Sequence, residues 1–262
     1  MPREHGATAM LLIPAFCAAI LARQWRWAEV WTLGAAWCVF LAKDWLIVLA
    51  RQRWVWKEFH LETTAARRAL IGSGMVLALC GLCLVRVWPL WVLGASAAGV
   101  GGFMALTVAM NVKNRQRSTL FQISSAVTLS ATSLAMCLSA TGAIQPWCWW
   151  LWLLNSAQAT AGILVVHSRL ERRIAARRGA LESGKWGPAH VACVVLLCGA
   201  WVTWNWWIVA ALLLASAGYL HELRRQENVE SLQMPLTRVG LQALALSVVY
   251  SLLIVAGLWR TY

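Results

Sequence analysis

The sequence predicts an all-α, polytopic membrane protein, and three observations lead to that fold class. Hydrophobic residues make up 60% of the 262 residues. Only 13% are charged, whereas soluble domains average about 25%. The apolar residues also gather in runs of about 20, the helix length that crosses the hydrocarbon core of a bilayer. Because unpaired backbone groups cannot face lipid, each such run predicts a helix.

Nine apolar runs predict about nine transmembrane helices in one membrane domain over residues 1–262. The predicted spans are 6–22, 27–50, 67–85, 88–110, 119–140, 146–166, 187–203, 205–220 and 238–259. The seventh and eighth spans are short and meet near Trp204. The first span is not typical of a signal peptide, because a second apolar run follows it directly.

The basic residues predict which side of the membrane each end faces. With nine spans, 18 of the 23 Lys and Arg residues lie on the side of the N-terminus and four on the other, with Lys43 inside a span. Lys and Arg prefer cytoplasmic segments, so we expect the N-terminus inside and the C-terminus outside. Tryptophans such as Trp25, Trp88 and Trp207 fall at the predicted outer ends, where indole rings favour the interface. The net charge of +13 therefore indicates membrane topology, and no nucleic-acid partner is expected.

Cysteines and small residues are expected to serve packing. The eight Cys residues lie mostly in apolar runs and are expected to be small buried apolar groups. Cys80 and Cys83 form a C-x-x-C pair without the two further ligands that zinc requires, so no metal site is predicted. The run "GASAAGVGGF" in the fourth span predicts a close approach of neighbouring helices.

Asp44 is the only Asp in the chain, and it lies inside the second predicted span. Its depth is about six residues, or about 9 Å, from the inner end. Charged groups at such depth usually face the bundle interior or a cavity. A functional role and a structural pairing with a basic residue are both open for Asp44. Lys43 is expected to point elsewhere, because adjacent positions on a helix do not face each other.

Other polar residues recur at helical spacing toward the same inner side. They are Arg117 and Gln122 at the fifth span, Asn155, Gln158, His167 and Arg169 at the sixth, and Arg238 and Gln242 at the ninth. Polar groups inside spans can serve only as interhelical hydrogen-bond partners, each worth about 0.6 kcal/mol. Three such stripes together predict a polar cavity open to the cytoplasm. The basic runs "RLERRIAARRG" and "HELRRQENVE" are expected to be solvated helix ends that face anionic lipid.

The opening "PREHGATAMLLIP" resembles the signature of the YwiC-like family of bacterial membrane proteins, in which Trp usually stands where Thr8 is here. The segments "RQRSTLFQ", "NSAQATAGILVVHSRLERR" and "LTRVGLQALALS" are similar to the family's other polar blocks. The resemblance implies a multi-pass protein of the bacterial cytoplasmic (inner) membrane. It also favours Arg3, Glu4 and His5 as site residues at the inner mouth of the first span.

The nine-span layout resembles, more distantly, the UbiA-type membrane prenyltransferases. Those enzymes hold an isoprenyl diphosphate through magnesium bound by Asp-rich motifs after the second and sixth spans. Here the first place offers only Asp44, and the second offers His167, Arg169 and Glu171. Magnesium prefers several carboxylate oxygens, so metal-dependent chemistry is not expected. The resemblance is still compatible with an anion that arginine side chains bind directly, because the guanidinium group matches the geometry of phosphate.

The function predicted from the sequence is the binding or modification of an anionic or isoprenoid lipid-like substrate in a cytoplasm-facing cavity. His5 is the candidate acid or base, because imidazole titrates near neutral pH, and Asp44 is the second candidate. The candidate binding residues are Arg3, Glu4, Arg117, Gln122, Asn155, His167 and Arg169. Whether a reaction occurs stays open, and the sequence specifies no cofactor. Alternatives are a transporter or binding protein for a small anion, or an accessory subunit of a membrane complex; membrane lipids are expected partners throughout.

Overall fold

The computed structural model describes residues 5–58, 62–115, 118–178, 187–203 and 205–262. These residues form helices joined by short turns, and no strand occurs among them. The helices are α1 His5–Ala22, α2 Trp27–Arg51, α3 Glu62–Leu84, α4 Leu90–Val112, α5 Thr119–Ser130, α6 Thr132–Thr141, α7 Pro146–Arg177, α8 Pro188–Val202, α9 Trp206–Arg225, α10 Val229–Leu232 and α11 Leu236–Thr261. A π-helical turn, Gln52–Trp56, extends α2.

The all-helical membrane class is confirmed. Within the part of the chain that the structure describes, seven helical segments are long and apolar enough to cross a membrane: Trp27–Trp56, Glu62–Leu84, Leu90–Val112, Thr119–Thr141, Pro146–Arg177, Trp206–Arg225 and Thr237–Thr261. Shorter apolar helices, Gly6–Ala22 and Pro188–Trp201, stand at the first and seventh predicted spans. The count of nine crossings and the orientation stay predictions.

Residues with fixed backbone preferences set the helix ends. Pro146 and Pro188 begin α7 and α8, where a missing N–H leaves no hydrogen bond unmade. The Asn205 side chain accepts from the backbone N–H of Trp207 at 3.0 Å and so caps α9. Gly142 ends α6 with a φ of 78°, a left-handed conformation that favours glycine. The short turns between helices follow from these local signals.

One predicted span is interrupted at Ala131, which separates α5 from α6. Side chains provide hydrogen bonds to the carbonyls around the interruption. The Trp152 indole donates to the backbone carbonyl of Val127 at 3.1 Å. The Thr132 hydroxyl donates to the backbone carbonyl of Leu129 at 2.9 Å. The interruption is therefore a bend whose polar groups are satisfied by the protein.

The core lies mainly between α1, α6, α7, α8, α9 and α11. Its fully buried members include Ala18, Leu151, Ala211 and Ile254. A smaller cluster of Ala28, Leu84, Trp88 and Leu138 connects the α2–α4 part to α6. Beside it, the Ser139 hydroxyl lies 2.5 Å from that of Thr32 and accepts from the Trp88 indole at 2.9 Å. The α2–α4 part is thus anchored to the main bundle by an apolar and a polar contact at one end.

The small-residue run of α4 does not pack as the sequence predicts. A Cβ added at Gly94, Gly99, Gly101 or Gly102 would meet no atom within 4 Å. The prediction that these small residues pack closely against a neighbouring helix of this chain is therefore wrong. The described contacts of α4 instead use larger side chains, such as Phe103, which stacks on Phe121, and those packed around Trp88.

The helix ends meet in two groups, as antiparallel hairpins require. At one end, Arg23 of the α1–α2 turn donates to the carbonyl of Trp259 at 2.5 Å; we call this the tryptophan-rich end. At the other, Arg51 donates to the carbonyl of Asn111 at 3.3 Å. This second group, the basic end, comprises the last turns of α2, α4, α7 and α9 and the first turns of α3, α5, α8 and α11. The basic end is the side predicted to face the cytoplasm.

A disulfide joins Cys137 of α6 to Cys148 of α7 at the tryptophan-rich end. The sequence analysis expects small buried apolar groups and does not predict this bond. The turn at Gly142 folds α6 back onto α7 and brings the two sulfur atoms together. Disulfides persist in oxidising compartments. If the tryptophan-rich end faces outward, as the sequence predicts, this bond lies on the oxidising side of the membrane.

We predict that Cys137→Ser lowers the free energy of unfolding by about 2–4 kcal/mol, because the bond closes a short loop in the unfolded chain. Thermal unfolding in detergent, with and without reductant, measures this. The variant should no longer respond to reductant. Cys198→Ser, which removes an exposed free thiol, is the matched control and should behave like the parent. Equal stability of parent and Cys137→Ser would contradict the prediction.

We also predict that Gly257→Ala destabilises the contact between α11 and the start of α9. A Cβ at Gly257 would lie 2.9 Å from Ile208 Cγ1 and 3.0 Å from Asn205 Oδ1, which costs about 1–3 kcal/mol of stability. Gly74→Ala of α3, where a Cβ meets nothing within 4 Å, is the control. It should be neutral or stabilising by up to about 1 kcal/mol because alanine favours helix. The melting temperatures of both variants test this contrast.

Candidate functional site at the basic end of α7

Helix α7 buries four polar side chains, more than any other described helix. Gln158, Gly162, Val165 and Arg169 recur at spacings of three or four residues, so they share one face of the helix, the face toward α9. His167 lies two residues before Arg169 and therefore points to a different side. The sequence of α7 thus places polar groups against two neighbouring helices at the basic end.

His167 contacts the first turn of α5. Its Nε2 lies 2.9 Å from Gln122 Oε1, and its Nδ1 lies 3.3 Å from the Thr119 hydroxyl. An amide oxygen only accepts, so Nε2 donates to Gln122 and, in the neutral ring, Nδ1 accepts from Thr119. This arrangement, the α5–α7 cluster, joins two residues that the sequence singled out separately. It leaves the Gln122 amide nitrogen able to donate to another group.

Arg169 faces the opposite way and is buried, with 2% of its surface exposed. Its Nη1 donates to the carboxylate of Glu222 in α9, and its Nη2 donates to the carbonyl of Ser231 in α10. Burying a charge is tolerable only when it is paired and hydrogen-bonded. The two contacts therefore hold α7, α9 and α10 together, and they use both terminal nitrogens of the guanidinium group.

Unpartnered polar atoms remain behind this ion pair. Arg169 Nε has no hydrogen-bond partner, and neither has Gln226 Oε1. Gln226 is fully buried, and its amide nitrogen donates to the carbonyl of Val165 at 3.2 Å, one turn before Arg169. Both unpartnered atoms belong to residues that bond near the same turn of α7.

Deeper in the bundle, the polar groups of α7 pair with α9 and α11. Gln158 Nε2 donates to the Tyr219 hydroxyl at 2.7 Å and to the Ser247 hydroxyl at 2.8 Å. Asn155 Oδ1 accepts from Ser251 at 3.5 Å. These bonds make Asn155 an interhelical contact of α7 with α11, and its role in binding a substrate stays a prediction.

Asp44 lies apart from these contacts, in the second half of α2. Its carboxylate is 3.6 Å from Lys43 Nζ, so the expectation that Lys43 points elsewhere is wrong. The long lysine stem bends back across the helix surface, and the ammonium also lies 4.8 Å from the centre of the Phe40 ring. The pair lowers the cost of placing two charged groups within a span.

Four predicted site residues fall where the structure gives no side-chain description. Arg3, Glu4 and Arg117 lie outside the described residues, and only the backbone of His5 is described, at the start of α1. Their proposed roles as anion ligands, and that of His5 as acid or base, stay predictions.

The polar stripes pair with different helices, and the shared cavity expected from the sequence stays a prediction. Gln122 bonds to α7, Gln158 bonds to α9 and α11, and the Arg238 and Gln242 side chains of α11 are exposed. A cleft occurs elsewhere at the basic end, between the last turn of α9 and α10. Within the described ranges, no three His, Cys, Asp or Glu side chains gather so that they could hold a metal ion.

Sequence reasoning did not identify Glu222, Ser231 or Tyr219 as partners of α7. The sequence could have indicated Glu222 as a partner of Arg169. It is an acid within the basic run "HELRRQENVE", and a buried arginine of another helix requires an anion. The contact with Ser231 could not have been predicted from the residue type, because it uses the backbone carbonyl. Tyr219 packs closely against Gly162, where a Cβ would lie 3.0 Å from its hydroxyl.

We predict that Arg169→Met lowers the free energy of unfolding by about 3–5 kcal/mol, because it leaves the carboxylate of Glu222 without its cation. Arg169→Met combined with Glu222→Leu should recover part of this loss. Arg177→Met, on an exposed position of the same helix, should cost less than about 1 kcal/mol. Denaturant unfolding in detergent measures all three. Equal stability of Arg169→Met and Arg177→Met would contradict a structural role for the ion pair.

Comparison with known proteins gives one match. The model of the YwiC-like protein family matches residues 1–137, which include α1 to α5 and most of α6. No curated protein and no solved structure matches the chain. The match covers more than half of the 262 residues and includes the opening signature and Gln122 of the α5–α7 cluster. The chain therefore belongs to the YwiC-like family.

Proposed function

We propose that this YwiC-like membrane protein binds an anionic or isoprenoid lipid-like molecule at its basic end. The observation that supports the proposal is the α5–α7 cluster, in which His167 is held between Gln122 and Thr119. The cluster adjoins a basic segment that contains Lys113 and Arg115. Cationic groups beside the available amide nitrogen of Gln122 suit the charged head of an amphiphile.

The length of α7 supports a ligand at the level of the lipid head groups. Its 32 residues extend about 48 Å at about 1.5 Å per residue. The hydrocarbon core is about 30 Å thick, so the last turns of α7 reach beyond it. His167 lies near this boundary. A molecule with an apolar chain and an anionic head could place its head beside His167 and leave its chain among the helices.

Native mass spectrometry of the protein, extracted gently from its own membranes, tests the proposal. We expect a retained small anionic lipid-like molecule. His167→Ala and Gln122→Leu should each reduce its occupancy by about tenfold, because each removes a polar contact at the head group. Thr160→Val is the control, since that hydroxyl only bonds within α7, to the carbonyl of Ser156.

Folding must be separated from binding in this experiment. Size-exclusion profiles and melting temperatures of the variants should stay close to those of the parent. Loss of the molecule from folded His167→Ala but not from Thr160→Val would support the proposal. A protein subunit retained without any small molecule would overturn it in favour of an accessory role. Equal retention of the molecule by all variants would show that the α5–α7 cluster is not part of the binding site.

Transport of a small anion is the second candidate, and the bend at Ala131 favours it. Transporter sites often use interrupted helices, and α1 also contains Pro14 near the point where Thr132 lies 2.9 Å from the carbonyl of Leu11. Pro14 lacks the backbone N–H that would donate within α1, close to the interruption at Ala131. Uptake of a radiolabelled anion into proteoliposomes, absent from empty liposomes, would favour transport over binding alone.

A further inference from the structure

A cleft of about 570 Å³ opens at the basic end of the bundle, on the side of α7 away from His167. It lies between the last turn of α9 and the short helix α10. Its lining residues are His221, Arg224, Arg225, Asn228, Glu230 and Ser231. The sequence predicts this run to be a solvated helix end; the fold of the α9–α11 connection makes it concave instead.

The cleft has an excess of positive charge that the protein leaves available. Among the described residues, the ion pairs within 4.0 Å are those of Lys43 with Asp44 and of Arg169 with Glu222. Arg224 and Arg225 therefore have no carboxylate partner there. Glu222 lies two residues before Arg224, yet its carboxylate is engaged by buried Arg169. Glu230 is the one acid in the lining.

Hydrogen bonds to α7 and to the end of α9 fix the residues that line the cleft. The carbonyl of Ser231 accepts from Arg169, and the Ser231 hydroxyl donates to the carbonyl of Arg225 and lies 2.7 Å from that of Asn228. Arg225 Nη2 also lies 4.0 Å from Met234 Sδ. These contacts tie α10 to α7 and to the end of α9. A site whose groups are already placed loses less entropy on binding.

We infer that this cleft binds a phosphate group. Two arginines offer forked donors that match phosphate oxygens, and His221 can add a third. Asn228 accepts a backbone bond through Oδ1, so its amide nitrogen stays available as a donor. The two guanidinium charges exceed that of Glu230 by one, so a phosphate monoanion balances the lining, and Glu230 opposes a ligand of higher charge.

The phosphate can come from a phospholipid head group or from a soluble phosphate ester. Helix α9 has 20 residues, about 30 Å, which equals the hydrocarbon thickness. The cleft at its end therefore lies at the depth of lipid phosphates and also borders the aqueous phase. This site is separate from the α5–α7 cluster, and its ligand does not depend on that of the proposed function.

Inorganic phosphate is the first probe, titrated calorimetrically into the full chain in nanodiscs of phosphatidylcholine. Arg224→Gln combined with Arg225→Gln should weaken binding by about tenfold or more, since charge-assisted hydrogen bonds are lost. Arg177→Gln combined with Arg178→Gln is the matched control. It removes the same charge from another helix end at the basic side, and should change affinity by less than about twofold because of screening. Glu230→Gln should strengthen binding.

The second probe separates the two sources. Nanodiscs containing phosphatidylglycerol are analysed by native mass spectrometry for lipid that stays on the protein. Phosphatidylglycerol retained by the parent and the control, but lost from the Arg224 and Arg225 double variant, would identify a lipid head group. Phosphate binding that phosphatidylglycerol does not displace would identify a soluble phosphate ester. Either result supports a phosphate site in the cleft.

Two results would overturn the inference. Equal weakening by the two double variants would mean that diffuse surface charge attracts phosphate. No binding of either probe by the folded parent would exclude the site. Both leave the proposed function testable, because its readout is the molecule retained at His167. Unchanged melting temperatures of the double variants, whose substituted residues line an open cleft, show that folding is preserved.

Discussion

The polar groups of α7 impose the constraint on which the basic end depends. The membrane interior offers a polar side chain no hydrogen-bond partner except another part of the protein. Gln158 and Arg169 meet this constraint by bonding to α9, α10 and α11. Because Arg169 is buried and charged, α9 must place Glu222 against it, and the α9–α11 connection must present a carbonyl. The position of α10, and with it the cleft, follows from that requirement.

The two sides of α7 divide their tasks. The side toward α9 uses most of its polar atoms within the protein, which stabilises the bundle and leaves little for a ligand. The side toward α5 holds His167 by two bonds but leaves the amide nitrogen of Gln122 available. In the same way, Arg169 occupies Glu222 and so leaves Arg224 and Arg225 without that acid. A structural ion pair thereby supports a binding surface that it does not itself form.

The two ends of the bundle also differ, because one is closed by contacts within the protein and the other leaves hydrogen-bond donors exposed. The tryptophan-rich end is closed by the disulfide of Cys137 with Cys148, by the capping of α9 and by contacts such as that of Arg23 with Trp259. The basic end has longer connections and helices that extend past the hydrocarbon core. Rigid closure on one side and exposed donors on the other agree with a ligand that approaches from the basic side.

The sequence by itself determined the helical membrane class, the approximate helix positions and the excess of basic residues at one end. These properties depend on local composition, because an apolar run of sufficient length is helical wherever it lies in lipid. It also identified Gln122, His167 and Arg169 as unusual, since polar groups within or beside spans are costly. Only the tertiary structure decided their partners: His167 with Gln122, Arg169 with Glu222, and Cys137 with Cys148. It also decided that the small residues of α4 stay unpacked within the chain and that Lys43 folds back onto Asp44. Pairings between distant segments depend on how helices tilt and rotate against each other, and the periodicity of a single helix does not contain that information.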